Sequence, residues 1–169
     1  MKTNTFALII GIAYLGAGLL GLIPAALMPP PADAPPTTFT VLYGYLLGLF
    51  PVNVLHSAVH LAIGFWGLMA ARALEDAKVF SRALALLYGA LALMGLIPGM
   101  NTLFGFIPLH SHDVWLHGGT AALAAYFGWR TEVHMERRHI ADRRQRMLPV
   151  ARERRLGLAD RRQGAYAGA

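Results

Sequence analysis

Five of the seven histidines in this 169-residue chain fall in two short stretches that share one pattern. The first is Gly48-Leu49-Phe50-Pro51-Val52-Asn53-Val54-Leu55-His56-Ser57-Ala58-Val59-His60, and the second is Gly105-Phe106-Ile107-Pro108-Leu109-His110-Ser111-His112-Asp113-Val114-Trp115-Leu116-His117. His56 and His60 are four apart, so on a helix they share one face, one turn apart. Aligning the two copies puts Asp113 in the place of His56 and His117 in the place of His60. Three imidazoles and one carboxylate suit Zn, Cu, Fe or Ni, so His56, His60, Asp113 and His117 are the candidate metal ligands. Alternatively His60 and His117 bind a b-type haem as axial ligands, with Asn53, His110 and His112 as supporting groups one turn nearer the surface. A proton relay of His and Asp is a third use. The fourth is structural: Asn53 and Asp113 are good helix N-caps, and polar side chains also fasten helices to one another.

These side chains need elements that carry them, and the composition says which. The chain is 56% hydrophobic and 14% charged, with a mean hydropathy of +0.46, values that belong to a membrane protein and exclude a soluble enzyme. Four apolar segments, near 6–27, 52–71, 79–98 and 110–129, approach the roughly 20 helical residues needed to cross a hydrocarbon core of about 30 Å. The first is longer than the apolar part of a signal peptide and is followed by no convincing cleavage site. The proline-rich run from Met28 to Pro36 is extended loop, because proline fixes φ and lacks a donor. Phe39 to Phe50, with Tyr43 and Tyr45, is too short to span and reads as an interfacial or partly re-entrant lead-in ended by Pro51.

The repeat reaches beyond the histidines. Gly21-Leu22-Ile23-Pro24 returns 74 positions on as Gly95-Leu96-Ile97-Pro98, while the histidine stretches are 57 apart, the longer proline-rich loop making up the difference. The predicted fold is therefore all-α: an integral membrane four-helix bundle made of two tandem helical hairpins, with a pseudo-two-fold along the membrane normal that brings the histidines face to face. If the helices start at the prolines, His60 and His117 lie about 13 Å along them. Gly11, Gly18, Gly21, Gly64, Gly67, Gly118, Ala122 and Ala125 supply the small residues on which helix contacts in lipid depend.

Charge sets the orientation. Lys2, Arg72, Lys78 and Arg82 balance Asp33, Glu75, Asp76 and Asp113, and the surplus of +6 lies in the last 40 residues, where eleven arginines face five acids. Loops with lysine and arginine stay inside, so both termini are expected in the cytoplasm and the histidines toward the outer side. Residues 131–169 form a basic tail with an approximate repeat around Pro149, and its expected partner is anionic lipid. Without interleaved aromatics it gives no reason to expect nucleic acid.

No phosphate loop, nucleophile elbow or zincin motif is present, so no catalytic residue is assigned. Two functions compete. One is a membrane protein that holds a metal ion or haem. The other is an accessory subunit of a membrane complex, or of a homo-oligomer, whose polar cluster only ties helices together. With the stretches 47–61 and 101–117 in hand, the chain resembles domain of unknown function 4383, a bacterial four-pass membrane family, over about residues 4–130. The resemblance implies a bacterial inner-membrane protein with four helices, and it supplies no activity, cofactor or catalytic residue.

Overall fold

Four helices form where the apolar segments were read. In the computed structural model, which describes residues 1–130, they are α1 (Thr3–Leu20), α2 (Val54–Ala70), α3 (Leu74–Gly95) and α4 (His112–Arg130). The arginine-rich segment and its repeat around Pro149 lie outside the described residues. α1 and α3 are long and apolar enough to cross a membrane; α2, at 17 residues, is a shorter apolar helix.

The helix ends differ from the expected bounds for a local reason. α1 stops at Leu20, seven residues short of the expected end, and Ile23 turns extended (φ −99°, ψ 107°), as the residue before a proline must to clear the ring. α3 likewise stops at Gly95, ahead of Pro98. α2 begins after Asn53, whose side-chain oxygen accepts from the His56 N–H at 2.9 Å and satisfies one of the first turn's orphan donors. Asp113 is not a cap; it stands in the first turn of α4.

Within this all-α fold a small antiparallel sheet also forms, from β1 (Leu27–Met28), β2 (Gly44–Leu46) and β3 (Phe50–Val52), in the order β1-β2-β3. The Phe39–Phe50 segment is thus turns and a hairpin strand. Pro51 lies inside β3, opposite Tyr45, tolerated because β3 is an edge strand with no further ladder to feed.

The helices pair as two antiparallel hairpins, α1 on α2 and α3 on α4. In the first, a Cβ on Gly11 would stand 2.8 Å from the Leu68 nitrogen and 3.0 Å from the Gly64 oxygen, and one on Gly18 would meet Leu61 at 2.8 Å. Only glycine permits backbones this close. In the second, Gly95 lies against Leu109 and Val114, Gly118 against Ala92 and Gly89 against Ala121. The core between the hairpins is graded along its length. Phe6 stacks on Phe127 at 4.7 Å near the chain start, with Phe80 and Leu84 buried beside them, and the other end is polar. That polar end is closed by loops from both halves: Thr38 and Phe39 donate their N–H to the Gly105 carbonyl, and Asn53 donates through Nδ2 to the Phe39 and Phe106 carbonyls at 3.1 and 2.7 Å. Pro51 and Pro108 are both fully buried there.

Candidate functional site

The four side chains with ligand chemistry stand on the facing first turns of α2 and α4. The Asn53 cap fixes where α2 starts, so His56 falls in its first turn and His60 one turn on; Asp113 and His117 repeat this on α4. Because the helices start at Val54 and His112 and not at the prolines, His60 and His117 lie only about 9 and 7.5 Å along them.

The four groups converge. One ring nitrogen from each of His56, His60 and His117 lies within 4.8 Å of the others. The Asp113 Oδ2 is 3.9 Å from His56 Nε2 and 3.6 Å from His117 Nε2. Both distances are too long for hydrogen bonds. Burial is nearly complete, at 3% exposure for His56, 5% for His60 and 1% for Asp113 and His117. Yet both ring nitrogens of His60, Nδ1 of His117 and Oδ2 of Asp113 have no hydrogen-bond partner. Orphaned polar atoms at this depth are expensive, on the order of 1–3 kcal/mol each, which is why they are rare.

Two tyrosines that the sequence reading passed over complete the site. The Tyr14 ring of α1 meets His60 edge-on at 5.0 Å, and the Tyr88 ring of α3 meets His117 edge-on at 4.8 Å. The two tyrosine rings also touch, at 5.3 Å, and Tyr14 Oη donates to Thr120 Oγ1 of α4 at 3.2 Å. A signal for them existed: each stands seven residues before a Gly-Leu-Ile-Pro.

The remaining expected residues lie apart from the cluster. Asn53 is spent on the helix cap and the loops. His110 is buried beside Tyr45, ring centres 6.2 Å apart, in the loop ahead of α4, where burial holds its imidazole below the ordinary range. His112 is exposed, with its Nδ1 3.3 Å from Ser111 Oγ. The adjacent Asp113 faces inward, and one helical residue turns the side chain by about 100°.

A cavity of about 170 Å³ adjoins the cluster, walled mainly by apolar side chains with His56 and His117 at one side. This bears on the haem expectation. About 150 Å³ accommodates a single benzene ring, so a porphyrin has no room here, and Tyr14 and Tyr88 already cover the edges of His60 and His117.

Compared with curated proteins and with solved structures, the chain matches none. Residues 4–130 match the family described as domain of unknown function (DUF4383), and the chain belongs to that family.

Proposed function

We propose that this protein is a multi-pass bacterial inner-membrane protein that binds one borderline divalent metal ion, zinc being the first candidate, through His56, His60 and His117, with Asp113 as fourth ligand. The observation that carries the reading is the orphaned buried donor set. Both ring nitrogens of His60, Nδ1 of His117 and Oδ2 of Asp113 are buried without hydrogen-bond partners, in a group where one ring nitrogen of each of His56, His60 and His117 lies within 4.8 Å of the others. Tetrahedral zinc with ligand bonds of about 2.0–2.1 Å needs donors roughly 3.3 Å apart. The set must therefore close by about an ångström and a half at its widest, a motion within reach of ring rotations about χ2, which is a broad torsion. Purely structural hydrogen bonding accounts for the site less well, because it leaves those same atoms unpaired.

The membrane setting is supported by an inverted distribution of polarity. Leu8, Ile12, Phe65, Leu86, Leu93 and Trp115 are exposed on the four helices, while His56, His60, Asp113 and His117 are inside. Water-soluble monomers rarely expose apolar surface on every side. Helices of 17 to 22 residues reach about 26–33 Å, enough for a bilayer core. The distribution of lysines and arginines supports cytoplasmic termini with the cluster toward the outer side, and the basic tail is proposed to attract anionic lipid.

The pseudo-two-fold belongs to the same proposal. Offsets of 74 for α1 to α3 and 57 for α2 to α4, taken from the sequence, carry the contact Gly21–Ser57 to Gly95–Val114, Gly18–Leu61 to Ala92–Gly118, Leu15–Gly64 to Gly89–Ala121 and Tyr14–His60 to Tyr88–His117. Four matches from two fixed offsets favour symmetric hairpins with the ion on their axis.

The test is elemental analysis of the full chain extracted in mild detergent, with His60→Ala and His117→Ala beside it. About one zinc per chain, lost in both variants while they remain folded, is the expected result. A folded wild-type chain that takes up no added zinc, copper, nickel or iron overturns the metal reading. A chain that stays monomeric in buffer without detergent overturns the membrane reading.

A further inference from the structure

Measured against a bilayer, α2, α3 and α4 are short, and the deficit falls at the histidine end. The other end is marked by charge: Arg72 stands two residues past α2, and Arg82 Nε donates to the Gly128 carbonyl at 2.9 Å, its guanidinium 5.8 Å from the centre of the Trp129 ring. Arginine and tryptophan together suit a membrane–water interface. From that level α3 runs only from Arg82 to Gly95, α4 from Gly128 back to His112 and α2 from Ala70 back to Val54, about 20–24 Å at 1.5 Å per residue. A hydrocarbon core of about 30 Å leaves about 6–10 Å to be filled by something else. The loops at the histidine end have the chemistry for it. Neither 34–71 nor 83–112 contains a lysine, arginine, aspartate or glutamate. Leu47, Leu49, Leu96, Ile97, Phe104 and Phe106 are exposed there. Leu47 and Phe104, 65% and 67% exposed, have φ of +52° and +58°, a conformation for which a turn in water ordinarily uses glycine or asparagine. Backbone within hydrocarbon has to satisfy its own donors. Between Leu96 and Leu109, nine of the twelve N–H groups donate to backbone carbonyls.

We infer, resting on the membrane-spanning reading and not on the metal, that the β2–β3 hairpin and the loop between α3 and α4 are immersed in the hydrocarbon of the leaflet on their side, which sets the histidine cluster near mid-membrane. His60 and His117 lie about 9 and 7.5 Å along their helices. With the loops filling the missing 6–10 Å, they are about 14–19 Å beneath the surface of a core about 30 Å thick. Lipid accounts for the exposed side chains better than a second protein does. A protein interface has a polar, solvated rim, whereas no charged side chain borders these residues, and immersion supplies the missing thickness in the same step. Thinning of the bilayer is the other answer to a short helix, and it leaves Leu47 and Phe104 in water with their φ unexplained.

The chain has no cysteine, so single nitroxide labels report one position each. Leu47→Cys and Phe104→Cys are labelled in the full chain, reconstituted in vesicles of phosphatidylethanolamine and phosphatidylglycerol. Ile12→Cys, exposed midway along α1, is the hydrocarbon reference, and Asp33→Cys, exposed in the proline-rich loop, is the aqueous one. The readout is the ratio of spin relaxation by oxygen, which concentrates in hydrocarbon, to that by chromium oxalate, which stays in water. Both loop labels should give a ratio close to that at Ile12 and at least tenfold above that at Asp33. Two loop labels are used so that a folding defect in one, seen in its melting temperature, leaves the other to decide. A ratio like that at Asp33, at either loop position in a folded variant, overturns the inference and leaves a thinned bilayer. Poor access of both reagents to the loop labels overturns it in favour of a second copy or another protein covering the loops. An aqueous ratio at Ile12 itself removes the membrane reading, so the two failures are distinct.

Discussion

The α1–α2 hairpin and the α3–α4 hairpin pack with different tolerances midway along their helices. In the first, the backbones meet directly: Gly11 faces Gly64 and Gly67, and a Cβ on Gly64 would lie 2.6 Å from the Leu15 nitrogen. In the second, the contacts midway along the helices are ordinary van der Waals ones, 3.9 Å from Gly89 to Ala121 and 4.0 Å from Gly118 to Ala92, and close approach is confined to the ends, at Gly95 against Leu109 and at Gly128 against Arg82. The donors differ as well. The first hairpin offers His56 and His60 from α2, and the second offers Asp113 and His117 from α4. One hairpin would therefore contribute two imidazoles and the other the carboxylate, so a divalent ion in the proposed site would be only partly neutralised and would be held by both halves at once. Binding to such an ion would couple the hairpins in addition to the loop hydrogen bonds that already join the two halves at the polar end.

The largest expected effect breaks that coupling. His60→Ala and His117→Ala each remove one ligand from opposite hairpins and should lower zinc affinity by more than the roughly 10–100-fold typical of a group that merely supports a ligand; competition with a chromogenic chelator measures it. If only one of the two matters, the ion is not shared between the hairpins. A sharper form exchanges the donors across the axis. His56→Asp alone gives two carboxylates, Asp113→His alone gives four imidazoles, and each should cost about tenfold or more in affinity. The double variant, H56D with D113H, restores one carboxylate and three imidazoles and should recover most of the loss. Recovery is the outcome that symmetric hairpins require, and a double variant no better than the worse single variant would sink the pseudo-two-fold.

Much of this was legible in the chain because long apolar helices declare themselves by length and because the two histidine stretches share one spacing. Four apolar runs gave four helices, and the Asn53 cap could be read from residue type and position. The ends were misplaced because Pro24 and Pro98 lie in apolar stretches that continue past the last helical residue; hydropathy does not register that the residue before a proline leaves the helical region. The sheet escaped because strands of two and three residues are too short to show an alternation. Tyr14 and Tyr88 escaped for a different reason. Groups that ligate stand out by residue type, whereas a tyrosine in an apolar run reads as packing until its ring is seen against a histidine. His112 shows the converse: ligand chemistry in the right neighbourhood, carried on the outward face of α4.

The difference in packing tolerance predicts a difference in stability that does not depend on any ligand. Gly11→Ala and Gly64→Ala push a methyl group into backbone and should destabilise the protein by about 1–3 kcal/mol, the usual range for overpacking. Gly89→Ala and Gly118→Ala meet only side chains at ordinary distance, and replacing an interior helical glycine by alanine then stabilises by up to about 1 kcal/mol. Thermal unfolding in one detergent, with the four variants side by side, reads both signs. Equal losses in all four would show that the hairpins are packed alike and that the contrast is not real.

The smallest effect concerns the tyrosines, whose rings are alike and whose hydroxyls are not. Tyr14 Oη donates to Thr120 Oγ1 across the two hairpins at 3.2 Å, and the Tyr88 hydroxyl faces that of Tyr14. Moving back from Thr120 by the α2–α4 offset of 57 leads to Ile63, which offers Tyr88 no matching hydroxyl. Tyr14→Phe should therefore cost more than Tyr88→Phe, because it leaves Thr120 and Tyr88 both short of a partner while Tyr88→Phe leaves the Tyr14–Thr120 bond intact. A typical intramolecular hydrogen bond contributes about 0.5–1.5 kcal/mol, so the first loss should fall near 1 kcal/mol and the second below it. Thr120→Val, which removes the acceptor and keeps the shape, should resemble Tyr14→Phe, and the pair combined should lose little more than either alone, the sign of a shared interaction. Fully additive losses would mean that the 3.2 Å contact contributes nothing and that the tyrosines act on the histidines only through their rings.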